Sequence, residues 1–248
     1  MKKVIVLFSF YLGMAAAGTL HVATAANMSY AMEDLKGAFE KQFPQTHVEV
    51  MIGGSGKLAA QIRQGAPYEL FLSANMRYPQ KLFEMGVATN KPVMYAQGAL
   101  VLLSKTPKDY EKGLGLLTSS MIHKIAIANP KTAPYGVAAV EALKKAGLYD
   151  AVKPKFVYGE SISQTITYTL RAADIGIVAK SALFAPQMRH FKAGKHWVNV
   201  DASLYTPIAQ GMVLLKRAAA NAEAKAFYDF MQRDEAKKIL HAYGYRLP

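Results

Sequence analysis

The sequence predicts an α/β protein with mixed, mostly parallel sheets flanked by helices, and three observations carry that prediction. Short apolar strands alternate with segments of helical periodicity along the 248-residue chain, which calls for parallel sheets covered on both faces. At four places a strand runs straight into a helix through Gly, Ser, Asn or Pro. Internal repeats, low-complexity tracts and long linkers are absent, so any division into two lobes must be made by strands that cross between them.

The chain opens Met1-Lys2-Lys3, continues almost wholly apolar from Val4 to Met14, and reaches Ala15-Ala16-Ala17-Gly18. This is the layout of a secretory signal peptide, with an apolar region too short to span a membrane. Residues 1–18 are assigned to it, which places the mature protein of roughly 230 residues outside the cytoplasm. The chain has no cysteine, which fits the bacterial periplasm and excludes thiol chemistry and Cys-ligated zinc. The formal net charge of +13 falls to about +11 without Lys2 and Lys3. Such a field draws anions toward a cleft. Nucleic-acid binding would want a basic face with interleaved aromatics, and the lysines here are dispersed.

Leu20–Ala23 is the first strand, followed by Thr24-Ala25-Ala26-Asn27 and then Met28, Ala31, Met32, Leu35, Phe39 and Phe43 at helical spacing. Asn27 caps that helix or offers donors to a ligand; the segment by itself favours the cap. Val48–Ile52 is the second strand. It enters Gly53-Gly54-Ser55-Gly56, after which Leu58, Ala59 and Ile62 recur at helical spacing. Ser55 reads as a cap in a tight glycine turn, or as part of an anion seat where bare N–H groups and a hydroxyl converge at a helix start. The stretch is not a Walker A loop, because Met51 stands where the first Gly belongs and Leu58 follows Lys57. It is not a nucleophile elbow, because Lys57 occupies a required Gly position.

Glu69–Ala74 reads as a buried strand, Pro79–Met85 as a short helix closed by Gly86, and Ala99–Leu103 as a further strand. Thr106–Gly115 reads as a surface loop with a poorly defined helix. Lys124–Pro130 is a strand leading through Pro134-Tyr135-Gly136 into a helix from Val137 to Lys145; Pro134 is preset for a first turn, so the N–H groups near Tyr135 point back past the strand end. No chemical role is assigned to the Tyr135 hydroxyl. Lys155–Val157 then leads through Gly159-Glu160-Ser161-Ile162-Ser163 into a helix ending at Arg171, with Ser161 or Ser163 as cap and Ile162 able to contribute only its N–H. Asp174–Ala179 is a strand, Ala185–Gly194 irregular, and Tyr205–Leu215 a strand whose Pro207 marks an edge or a crossover. Helices Ala222–Met231 and Asp234–Ala242 close the chain before Tyr243-Gly244-Tyr245. With crossovers at Ala99–Leu103 and Gln210–Leu215, two lobes would face each other and bring all four junctions into one cleft, at the carboxyl ends of the strands.

Gly54-Ser55-Gly56-Lys57-Leu58-Ala59-Ala60-Gln61-Ile62, followed by Gly65-Ala66-Pro67-Tyr68-Glu69-Leu70-Phe71-Leu72-Ser73-Ala74, resembles the corresponding stretch of the periplasmic molybdate-binding proteins of ABC importers. Asn129-Pro130 through Gly136, Gly176-Ile177-Val178 and Ala226–Met231 are similar as well, so the resemblance covers essentially the whole mature chain. It implies a type II periplasmic binding protein architecture, with lobe I formed by residues 19–97 plus 208–248 and lobe II by 98–207. It also implies a non-enzymatic monomer that needs no cofactor, holds molybdate or tungstate as its ligand and delivers it to a membrane permease; molybdenum enters only as the oxyanion, with no free metal cation bound. By position, Asn27 with the neighbouring backbone of Ala26, and Ser55, Tyr135 and Ile162, are the implied oxyanion contacts. A fifth position, a tyrosine hydroxyl in many members, is Ala179 here, and Lys57 stands where threonine is common.

Neutral donors at helix starts suit a tetrahedral dianion. Phosphate, which carries a proton near neutral pH, would want an acceptor; Glu160 is the carboxylate nearest the junctions. Sulfate, thiosulfate or a small organic anion are the alternative ligands on the same fold. A hydrolase with Ser55 as nucleophile is the alternative of another class, and it lacks a base, since none of the six histidines stands in a triad-like setting.

Overall fold

The computed structural model describes residues 18–248; the signal-peptide assignment therefore lies outside the described residues except for Gly18. Two five-stranded sheets form the frame. The first contains β1 (Gly18–Ala25), β2 (Thr46–Gly53), β3 (Leu70–Ser73), β4 (Val93–Gly98) and β10 (Ile208–Leu214). The second contains β5 (Leu100–Leu103), β6 (Ile125–Ala128), β7 (Phe156–Gly159), β8 (Ile175–Ala179) and β9 (Trp197–Asn199). Their spatial orders are β2-β1-β3-β10-β4 and β7-β6-β8-β5-β9. In each sheet one strand runs against its neighbours: β10 in the first, β5 in the second. Each is the strand by which the chain arrives from the other lobe.

The crossovers are short. Gly98 pairs with Ile208 in the first sheet and Leu100 with Ala179 in the second, so the outward passage takes place at Ala99. The return runs through residues 200–207, and Pro207 stands just outside β10. Because β10 lies between β3 and β4, Pro207 marks a crossover and not an edge.

Alternation of side chains along the strands explains why helices cover both faces of the first sheet. Leu20, Val22, Leu70 and Leu72 pack with Met28, Met32, Leu35 and Phe39 of the first helical segment and with Phe227 and Phe230. Ala23 and Phe71 point the other way, onto Leu58, Ile62 and Leu82. The helices concerned are α1 (Ser29–Gln42), α2 (Ser55–Arg63), α3 (Arg77–Glu84), α7 (Ala222–Phe230) and α8 (Asp234–Ala242). Phe39 stacks on Phe43 at 4.5 Å and meets Phe227 edge-on at 4.9 Å, knitting α1 to α7. In the second lobe α4 (Pro134–Lys145), α5 (Tyr149–Val152) and α6 (Ile162–Arg171) complete a separate core around Val101, Leu103, Ile125, Ile127, Ile166 and Ile177.

Two strands differ from the sequence reading. β4 is absent from it, the expected strand starting only at Ala99; Val93–Ala96 is a short apolar stretch set apart from that strand by Gln97-Gly98. β9 has three residues and no room to show a period. The helix expected from Pro79 begins at Arg77, and the stretch 106–115, expected as a loop with a poorly defined helix, passes at its end into a 3-10 segment, Gly113–Thr118. The strand expected from Tyr205 begins at Ile208; Tyr205 instead lends its hydroxyl to the N–H of Leu100 at 3.1 Å, bracing one crossover against the other.

Candidate anion-binding site at four helix starts

The four junctions lie in adjacent pairs. β1 and β2 are neighbours, with Ala25 opposite Gly53, and β6 and β7 are neighbours, with Ala128 opposite Gly159. Each pair of strand ends therefore launches two helical segments side by side: a 3-10 turn at Ala26–Met28 and α2 from one lobe, α4 and α6 from the other. Ala26, Asn27, Ser55, Tyr135 and Ile162 come together around one small cavity of about 10 Å³. All five are at least 96% buried.

The remaining lining residues are Ala25, Gly53, Gly54, Ala74, Ala133 and Pro134, so nothing around the cavity carries a charge. Ser55, Tyr135 and Ile162 occupy the first or second position of their helices, where N–H groups precede any carbonyl of the same helix that could accept them. Ser55 Oγ accepts the N–H of Ala74 at 3.0 Å, which uses a lone pair and leaves its O–H as a donor. Among the residues that line the cavity there is no histidine, carboxylate or lysine to act as a base toward that hydroxyl. At α6 the cap is Ser161, which accepts from the N–H of Gln164 at 3.3 Å. Ser163 does something else: its Oγ donates to the carbonyl of Ala26 at 2.9 Å, across the lobes.

Asn27 is tied down from three sides. Its Nδ2 donates to Gln210 Oε1 and to Tyr245 Oη, both at 2.8 Å. Its carbonyl accepts from Ser181 Oγ at 3.1 Å and from Tyr245 Oη at 2.9 Å. No side-chain cap bond ties Asn27 to its own helical turn. Tyr135 sends its ring into the first lobe, where its hydroxyl accepts from Gln210 Nε2 at 3.4 Å and fills the space above Gly98. Burial pushes the Tyr245 hydroxyl up to about 12, and the Tyr95 and Tyr135 hydroxyls well above the usual phenol value. All three are neutral over the ordinary pH range.

Residues around the site sort clearly. Glu160 is exposed and does not line the cavity; its carboxylate accepts from Asn129 Nδ2 at 3.4 Å. Lys57 is exposed and also outside the lining. Ala179 is buried and contributes no side chain to the cavity. A larger cavity of about 580 Å³, beside Gln97–Ala99 and the C-terminal residues, contains none of the five. Sequence reasoning missed Gln210, Tyr245, Ser163 and Ser181. Gln210 had a signal, since it is the one amide inside the apolar run Ile208–Leu214.

The model of the bacterial extracellular solute-binding protein family matches residues 20–246. The chain belongs to that family. It is 40% identical to the molybdate-binding protein ModA of Rhodobacter capsulatus over 233 residues, covering 93% of this chain and 89% of that one. Identity to the Azotobacter vinelandii molybdate-binding protein ModA is 38% over 235 residues, covering 94% of this chain and 92% of the relative. Among solved structures, the periplasmic molybdate-binding protein of A. vinelandii superposes with a TM-score of 0.85 at 36% identity, covering 92% of this chain and 99% of that structure. This likeness fits the two-lobe α/β architecture described above.

Proposed function

We propose that this protein binds molybdate, and tungstate with it, in the cleft between its lobes and delivers the anion to the permease of an ABC importer. The observation that carries the reading is the cavity itself, where helix-start N–H groups and the Ser55 hydroxyl converge with no charged side chain among the lining residues. A tetrahedral dianion that carries no proton needs donors on every side, and N–H groups at helix starts supply them together with the favourable end of each helix dipole. The names and the close likeness of the two ModA relatives support the choice of molybdate. Asn27, Ser55, Tyr135, Ile162 and Ala26 are the contacts, and the lobes, divided at Ala99 and again within 200–207, close over the anion. Export to the periplasm by residues 1–18, action as a monomer without a cofactor, and a binding role without catalysis complete the reading.

Calorimetric titration of the mature protein with molybdate, tungstate, sulfate and phosphate tests it. The expected result is tight binding of molybdate and tungstate, with sulfate weaker and phosphate weakest. Equal or tighter binding of sulfate would move the assignment to that anion, and heat from none of the four would remove the oxyanion reading.

A further inference from the structure

Gln210 sits where the register of β10 shifts against β4, between Gln210 and Gly211. Such a bulge re-aims a side chain, and here it turns a fully buried amide toward Asn27. Gln210 Oε1 accepts from Asn27 Nδ2 at 2.8 Å and from Tyr95 Oη at 3.0 Å, while its Nε2 has Tyr135 Oη at 3.4 Å. With Asn27 Nδ2 spent on Gln210 and Tyr245, Asn27 Oδ1 is buried without any hydrogen-bond partner. A buried orphan acceptor is costly. Beside a dianion in a cavity of donors, a carbonyl oxygen also carries the wrong sign of charge.

The oxygen and NH2 ends of an amide are nearly isosteric, so the same space accepts Asn27 and Gln210 with both turned end for end. Gln210 Nε2 then donates to Asn27 Oδ1 and to Tyr95 Oη, Tyr95 passes its own proton to the carbonyl of Ser73 at 3.4 Å, Gln210 Oε1 accepts from Tyr135, and Tyr245 turns its proton from the Asn27 carbonyl, which keeps Ser181, to Asn27 Oδ1. The acceptor left over in the present arrangement is satisfied, and the edge of the Asn27 amide that the network does not use becomes an NH2.

We propose that Gln210 is a positioning residue that sets which edge of the Asn27 amide meets the oxyanion, and that anion binding selects the arrangement with both amides turned, so that Asn27 donates through its NH2. This rests on molybdate occupying the cavity. Glutamine suits the role because it matches either orientation of Asn27; a carboxylate in its place accepts only, and a leucine does neither.

Side-chain amide NMR of the mature 15N,13C-labelled protein tests this. On titration with molybdate, the backbone amides of Ser55, Tyr135 and Ile162 shift, and the Asn27 NH2 protons move strongly downfield together with a change at the Gln210 NH2. Backbone shifts without movement of either side-chain NH2 would overturn the role given to Gln210. An absence of backbone shifts would instead overturn the anion reading on which this proposal stands. In Gln210→Glu the carboxylate holds Asn27 Nδ2, so saturating molybdate still shifts the three backbone amides but no longer moves the Asn27 NH2, and affinity falls about tenfold or more. An Asn27 NH2 that shifts in the variant as it does in the natural protein would contradict the proposal.

Discussion

Gly56 donates its backbone N–H to the carbonyl of Thr132 at 2.9 Å, joining the start of α2 to the loop before α4 across the cleft. A Cβ on Gly56 would lie 2.6 Å from Tyr78 Oη, the far end of a side chain that can swing aside, and, on Thr132, 2.9 Å from that carbonyl oxygen and 3.1 Å from the Cα. The two Thr132 atoms are backbone with little freedom to yield, so glycine is what lets the lobes meet here. Gly56→Ala is therefore expected to hold the lobes apart at a cost of about 1–3 kcal/mol, the ordinary range for overpacking, which corresponds to roughly five- to 150-fold in molybdate affinity. Calorimetry measures the loss, and thermal unfolding without anion checks that the variant is as stable as the natural protein. An unchanged dissociation constant would show that this contact does not belong to the closed form.

Ser55→Ala removes a hydroxyl donor and also leaves the N–H of Ala74 without its acceptor. A hydrogen bond to a charged partner contributes about 1.5–3 kcal/mol, so molybdate affinity should fall by roughly ten- to 150-fold. The competing outcome, retention of full affinity, takes Ser55 out of the site.

Ser163 Oγ and Ser181 Oγ both reach from the second lobe to carbonyls of the first, at Ala26 and Asn27. Ser163→Ala should speed release of the anion, by about tenfold at most, because a neutral hydrogen bond contributes about 0.5–1.5 kcal/mol. Stopped-flow displacement of molybdate by excess tungstate reads the rate directly. If release is as slow as in the natural protein, the bond makes no contribution to holding the lobes closed.

Burial raises the Tyr245 hydroxyl to about 12 in the folded protein, above the ordinary phenol value of 10.0. The unfolded chain therefore loses this proton first as pH rises, so the stabilisation is complete below pH 10 and disappears as pH climbs through the folded value. Burial raises Tyr95 and Tyr135 in the same direction. Urea midpoints should fall steadily between about pH 10 and 12, and the fall should be shallower in Tyr245→Phe. A midpoint independent of pH over that window would mean that the phenols are better solvated than their burial indicates.

The frame of this fold was legible because its signals are local. Met28, Ala31, Met32, Leu35 and Phe39 mark α1 by spacing alone, and Pro134 and the glycines around Ser55 mark helix starts by backbone chemistry. Facing of the junctions follows from sheet order, which no local pattern encodes; the crossover strands and the rule that ligands sit at the carboxyl ends of parallel strands lead to it, and the resemblance to a known family adds the implied anion contacts. The network behind the site was out of reach for the same reason. Asn27 meets Gln210 and Tyr245 across sequence separations of 183 and 218 residues, and nothing near Tyr245 in the sequence distinguishes it from a chain end. The role of Asn27 changes accordingly, from the cap that its own segment favoured to an amide held by the far end of the chain. The outward crossover expected at Ala99–Leu103 agrees with the structure, where the chain passes from one sheet to the other at Ala99.

Anomalous diffraction at the molybdenum edge, from crystals of the mature protein grown with molybdate, tests the central claim most directly. The account predicts one strong peak in the cavity between the four helix starts, with oxygen atoms within hydrogen-bonding distance of Ser55 Oγ and of the N–H groups of Ser55, Tyr135 and Ile162, and with no lysine, arginine or carboxylate touching the anion. A peak placed instead among basic side chains on the surface, or an anion contacted by Lys57 or Glu160, would contradict it.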